Sequence, residues 1–186
     1  MSLIAMQGGA TGTGTVTLLA PITNTNQTLT LPDATGTVLT TATAGVPVNG
    51  PAFSAYATSS QSISSATFTK VTLDTEVFDT NSNFASSRFT PTVAGYYQVN
   101  GSMRSGGTLK NIAVVVIYKN GSSYGYGNQI NGTSAIQLVV NEVVYLNGST
   151  DYVELYGYVD ATTPTFDYAN TSANCRFSAA LVRSAV

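Results

Sequence analysis

Residues 88–103, Arg-Phe-Thr-Pro-Thr-Val-Ala-Gly-Tyr-Tyr-Gln-Val-Asn-Gly-Ser-Met, leave few folds open to this chain. Pro91 lacks a backbone donor and Gly95 a side chain, so the first half breaks any helix and shapes a turn. The second half alternates: Tyr97, Val99 and Gly101 point one way, Tyr96, Gln98 and Asn100 the other, which is the period of a strand. Phe89, just before the turn, has the character of a buried residue. The stretch reads as a turn feeding a strand with one apolar face.

The rest of the chain repeats that texture. Only 9% of the 186 residues are charged while 43% are hydrophobic, and Thr, Ser, Asn and Gly fill the remainder. Helix formers never recur with a 3.6-residue period, so an all-β fold is expected. Strands are expected over 52–57, 67–73, 96–103, 112–118, 134–140, 142–146, 152–159 and 175–182. Asn120-Gly121, Asn147-Gly148 and Thr163-Pro164 supply the turns. The uninterrupted run Ala113-Val-Val-Val-Ile117 implies a strand covered on both faces, by a second sheet and by a neighbouring subunit. Residues 44–52, rich in Pro and Gly, make a boundary between an N-terminal segment (1–50) and a head domain (51–186). The segment holds short Thr-rich strand-like runs with too few large apolar residues for a core of its own. It is either a β-stalk completed by other copies of the chain or a Thr-rich linker.

Taken together, residues 51–186 resemble the globular-head domain of the complement-type family, a tumour-necrosis-factor-like jelly roll. The resemblance rests on landmarks in order: Pro51-Ala-Phe53; Phe68-Thr-Lys-Val71 with Leu73-Asp74 and Asp79; Phe89-Thr-Pro-x-x-Ala-Gly-Tyr-Tyr-x-Val99; Ile117-Tyr-Lys-Asn-Gly121; Val144-Tyr-Leu-Asn-Gly-x-x-Asp-Tyr-Val-Glu-Leu155; and Phe177-Ser-Ala-Ala-Leu181. Ser149-Thr150 is an insertion relative to the family pattern, and Ala179 stands where glycine is usual. The resemblance implies a homotrimeric jelly-roll β-sandwich with one sheet of each copy packed around a three-fold axis. Phe89, Pro91, Gly95, Tyr97 and Val99 become the fold's signature: Phe89 and the Tyr97/Val99 face enter the core, and Pro91 and Gly95 set the turn between them. Residues 12–38, Gly-Thr-Gly-x-Val-Thr-Leu-Leu-Ala-Pro followed by Asn-Gln-Thr-Leu-Thr-Leu-Pro-Asp-Ala-Thr-Gly-Thr-Val, resemble a segment of tailed-bacteriophage fibre and virion appendage proteins. There it precedes a trimeric tip.

Composition narrows the chemistry. With no histidine and one cysteine (Cys175), there is no Ser-His or Cys-His pair, no intrachain disulfide and no ordinary zinc site. A net charge of −2 with seven scattered Lys+Arg gives no stripe for nucleic acid. No segment is long enough to span a bilayer as a helix, and the N-terminus lacks the pattern of a signal peptide. Asp74, Glu76, Asp79, Asp160 and Asp167 read as solvated loop carboxylates. Asp/Asn-rich loops raise calcium as a ligand, although their spacing fits no standard calcium loop, and no cofactor is expected. Tyr124, Tyr126, Tyr156, Tyr158, Phe166 and Tyr168, set among small polar residues, are the candidate surface-recognition residues, because such rings offer rigid area with a hydroxyl.

The combined expectation is a non-enzymatic virion protein, a homotrimeric head fibre or tail fibre. It would be made in the host cytoplasm and carried on the virion surface. Residues 1–50 would dock on a capsid or tail protein, and the head would meet a host-surface glycan or protein. The short shaft points to a short spike as readily as to a tail tip. The alternatives are a capsid decoration protein without receptor role, a carbohydrate-active depolymerase and a free binding protein of complement type.

Overall fold

The computed structural model describes residues 50–132, 135–168 and 174–185. The expected stalk lies outside the described residues except for Gly50. Among the described residues eleven strands occur: β1 (Ala52–Tyr56), β2 (Gln61–Ser62), β3 (Thr69–Lys70), β4 (Thr75–Asp79), β5 (Phe84–Ala85), β6 (Arg88–Phe89), β7 (Ala94–Lys119), β8 (Ser122–Asn131), β9 (Gln137–Asn147), β10 (Val153–Phe166) and β11 (Arg176–Ser184).

They form two antiparallel layers sharing β7. In the first, the order is β4-β1-β11-β7-β9, built on the N-terminal half of β7. In the second, the order is β5-β6-β10-β7-β8, built on its C-terminal half, with β2 and β3 also pairing β10. The layers close face to face over one core. Phe53, Tyr97, Val99, Leu146 and Phe177 come from the first layer, and Phe89, Val115, Ile117, Val153 and Leu155 from the second. Phe53 sits at the centre of the aromatic packing, 4.5 Å from Phe84, 4.6 Å from Phe89 and 5.3 Å from Phe177 between ring centroids.

Three sequence expectations change. The expected strands 96–103 and 112–118 are one 26-residue strand, β7, that passes from one layer to the other. The passage lies at Gly106-Gly107, where Gly107 has φ +84 and a Cβ would stand 2.6 Å from the carbonyl oxygens of both Thr162 and Thr163. Thr163-Pro164 is likewise no turn. β10 runs on to Phe166 and absorbs these residues as a bulge opposite the β7 corner. The expected strands 134–140 and 142–146 are a single β9, Gln137–Asn147, with no break at Asn141.

In the stretch that opened the sequence reading, Phe89, Tyr97 and Val99 are wholly buried. The Tyr97 hydroxyl donates to the Val93 carbonyl at 2.6 Å, and burial pushes its pKa up to about 12. Pro91 is buried in the β6–β7 turn, while Gly95 is already the second residue of β7. The expectation that Gly95 sets the turn is therefore corrected: it needs glycine because β11 passes close by.

The β9–β10 connection is held by two polar side chains. Asn147 Oδ1 accepts the backbone N–H groups of Ser149, Thr150 and Asp151. Asp151 accepts from Asn120 Nδ2 at 2.8 Å and pairs with Lys119 Nζ at 3.2 Å. The Asn120 hydrogen bond, with Lys119 behind it, holds the Asp151 carboxyl below the usual carboxylate range. Because the folded value is depressed, this carboxylate contributes stability above about pH 4, lost as pH falls through the folded value. Asp151→Asn is expected to lower the melting temperature at pH 7 and to converge with the parent in acid. Parallel shifts at every pH would show that the charge contributes nothing.

Candidate functional site

The period-two face of β10 turned away from the core carries Glu154, Tyr156 and Tyr158, with Tyr152 just ahead of the strand; the core-facing set is Val153, Leu155, Gly157 and Val159. Registers across the sheet extend this face into three rows. Arg88, Glu154 and Tyr118 lie side by side on β6, β10 and β7. Next come Lys70, Tyr156, Val116 and Tyr126 on β3, β10, β7 and β8. Tyr158 and Val114 follow, with Phe68 ahead of β3 reaching Tyr158 at 5.1 Å.

The rings touch one another. Tyr118 and Tyr156 stack at 3.9 Å and 19°, and Phe68 meets Tyr118 at 6.1 Å and Tyr126 at 6.4 Å. Val114 and Val116 are buried yet lie outside the inter-sheet core. The chain's own aromatic rings form the second cover of the apolar run 113–117, in place of the neighbouring subunit expected from sequence. Burial pushes the phenols of Tyr118 and Tyr156 up, further from neutral pH.

Of the six sequence candidates, Tyr126, Tyr156 and Tyr158 join this platform. Tyr124 is half exposed at a β8 bulge, where Ile117 faces Gly125 and Tyr118 faces Ser123. Phe166 is corrected from a surface residue to a core residue: it is 1% exposed, and its ring occupies the space beside Gly157, where a Cβ would lie 2.5 Å from it. Tyr168 is half-buried at the end of β10, its backbone N–H donated to Ser60 Oγ. Sequence reading missed Phe68, Tyr118, Lys70, Arg88 and Glu154. The alternation Tyr152-x-Glu154-x-Tyr156-x-Tyr158 was the available signal for the platform.

Beside the platform lies a charged cluster. Glu154 is 2% exposed, and its Oε1 accepts from Arg88 Nε at 2.9 Å and Lys70 Nζ at 3.3 Å. The Glu154 hydrogen bond holds the Arg88 guanidinium more firmly protonated. That guanidinium also stacks 3.8 Å over the Tyr152 ring. Lys70 and Arg88 line an open groove whose other walls are Ser82, Asn83, Ala85, Ser86, Thr90 and Thr92. The β5–β6 turn that forms one wall puts Ser86 and Ser87 at φ 50 and 57, the left-handed region. It is pinned by Lys70 Nζ on the Ser86 carbonyl and by Ser87 Oγ, which accepts the Leu73 N–H at 2.8 Å.

The opposite outer face, on the first layer, differs. Its rows read Tyr145–Tyr96–Arg183, then Val143–Gln98–Ala180–Ala52, Asn141–Asn100–Ser178–Ser54 and Val139–Ser102–Arg176–Tyr56, without one acidic side chain. Tyr96, Val139, Val143, Tyr145 and Val182 are 40–59% exposed there. Four of the five carboxylates read from the sequence as solvated loop residues accept hydrogen bonds within the fold; Glu76 lies exposed on β4 and Asp160 on β10, so neither is a loop residue. Asp74 accepts from Thr58 N and Oγ1, Asp79 from the N–H groups of Asn81 and Phe84, Asp160 from Ser65, and Asp167 from Ser60 and Arg104.

Solved structures share this arrangement. The globular domain of a zebrafish complement 1qA protein superposes with a TM-score of 0.50 at 18% identity, over 73% of this chain and 99% of that one. Murine APRIL, crystallised at pH 8.5, superposes with a TM-score of 0.53 at 8% identity, over 72% of this chain and all of APRIL. No protein-family description matches the chain, and no curated protein matches it in sequence. The fold is therefore an all-β jelly-roll sandwich of the complement-head and tumour-necrosis-factor-like type.

Proposed function

We propose that this protein is a non-enzymatic, homotrimeric fibre or spike on the virion of a tailed phage. Residues 1–50 dock on a capsid or tail protein, and the jelly-roll head is exposed for attachment to a host-surface glycan or protein. The observation that carries the assembly is the acid-free face of Tyr96, Val139, Val143, Tyr145 and Val182. An exposed face that carries large apolar side chains and no carboxylate marks an interaction surface, and identical copies around an axis are a common way to cover one. The complement-type heads this domain resembles pack the corresponding kind of sheet around a three-fold axis. The virion role rests on the likeness of residues 12–38 to phage appendage segments. The engagement of Asp74, Asp79, Asp160 and Asp167 in hydrogen bonds within the fold supports a binding role over hydrolysis.

Two measurements test the reading. Sedimentation equilibrium of the purified chain is expected to give the mass of three copies; a monomer at micromolar concentration overturns the trimer. Antibody labelling of purified particles is expected to mark capsid or tail; particles free of the protein overturn the virion role.

A further inference from the structure

We propose that the Lys70/Arg88 groove and the adjoining aromatic platform form one binding site for an acidic saccharide, a pyranose chain bearing carboxylates. The proposal deepens the attachment reading above and rests on it.

Three features converge on one face. First, two cations share a single buried carboxylate oxygen, which leaves a surplus positive charge there in a chain of net charge −2. Arg88 engages Glu154 through Nε, and its guanidinium, stacked on Tyr152, lines the groove. A planar fork of this kind suits a carboxylate. Second, the remaining polar wall (Ser82, Asn83, Ser86, Thr90, Thr92) is uncharged and rich in hydroxyls, matching sugar hydroxyls. Third, Tyr118 lies across Glu154 from Arg88, about 10 Å away at two strand spacings. One saccharide chain can therefore present a carboxylate to the cations and a ring face to the tyrosines. The groove wall is pinned by Lys70 and Ser87, so the site stands formed before ligand arrives. A single-stranded nucleic acid also offers anions and flat rings, but two cations neutralise few phosphates.

Titration calorimetry of the full chain with oligogalacturonate and with its methyl ester tests the proposal. The acid is expected to bind about tenfold more tightly than the ester, as for loss of one charge-assisted hydrogen bond. Salt is expected to close the gap. Lys70→Gln is expected to weaken the acid more than the ester and so to narrow the gap between them. Glu154→Gln, which removes the competing carboxylate and keeps its shape, is expected to tighten the acid several-fold. Equal binding of acid and ester overturns the site. So does a Glu154→Gln variant that lowers the melting temperature and leaves affinity alone, since the triad is then purely structural. Stronger binding of a single-stranded oligonucleotide of equal charge overturns it too. Adhesion of the labelled head to host cells separates the two readings. Adhesion indifferent to oligogalacturonate and to Glu154→Gln overturns the site and spares attachment; saccharide binding as expected without adhesion supports the site and removes attachment.

Discussion

Gly95→Val is expected to leave no soluble, cooperatively melting head. Gly95 is paired on both sides, to Leu146 of β9 and Ser184 of β11. A Cβ there would stand 2.5 Å from the Arg183 carbonyl oxygen, 2.6 Å from Leu181 Cδ1 and 3.0 Å from Ser184 Cα. The Leu181 methyl can rotate aside, but the other two atoms belong to the backbone of β11. They are carried inward by the irregular register between Leu181 and Arg183. Relief thus requires β11 to leave β7, and β11 is what joins β1 to the rest of its layer. Overpacking in a core costs about 1–3 kcal/mol where side chains absorb it. Here the main chain must move, and the loss is set against a total stability of about 5–15 kcal/mol. Expression followed by solubility and thermal melting checks this. A soluble variant melting like the parent would show that the β7–β11 approach tolerates a side chain. Gly95→Ala, with the same first atom and no branches, is expected to be soluble at reduced stability.

The place of Gly95 in the fold was legible as a position and not as a cause. Local alternation told correctly that Tyr97 and Val99 share a core face, because a two-residue period is a property of the strand itself. Asn120-Gly121 told its hairpin for a similar reason: its φ values of 52 and 79 are those that the pair favours. Long-range proximity was not legible. Gly106-Gly107 and Thr163-Pro164 have the composition of turns, and only their mutual contact makes them a corner through which two strands continue. Phe166 sits among polar neighbours in sequence, yet the space beside Gly157 takes its ring. Lys70, Arg88 and Glu154 are separated by up to 84 residues and meet because β3 and β6 pair the same stretch of β10. The apolar run 113–117 was read rightly as doubly covered. Its outer cover is the chain's own aromatic layer, and the contact proposed between copies falls on the other sheet.

That distinction makes Val143→Asp the most informative single change for assembly. It is expected to convert the proposed trimer to a monomer at micromolar concentration while the fold persists. Val143 is 52% exposed in the single chain, between Asn141 and Tyr145 on β9 and opposite Gln98 on β7. A substitution at such a site ordinarily changes the stability of an isolated domain by no more than about 0.5 kcal/mol. Around a three-fold axis the same substitution brings three carboxylates onto an apolar surface with no cation on the Val143–Gln98–Ala180–Ala52 row. Each carboxylate then loses water with no cation on its own row, and the three like charges repel one another. Arg183 lies in the neighbouring row beside Tyr96, and Arg176 lies two rows away over the Tyr56 ring, in register with Ser102. Sedimentation mass with near-ultraviolet circular dichroism separates the outcomes. A folded monomer is the expected result. A folded trimer would place the contact between copies on another face.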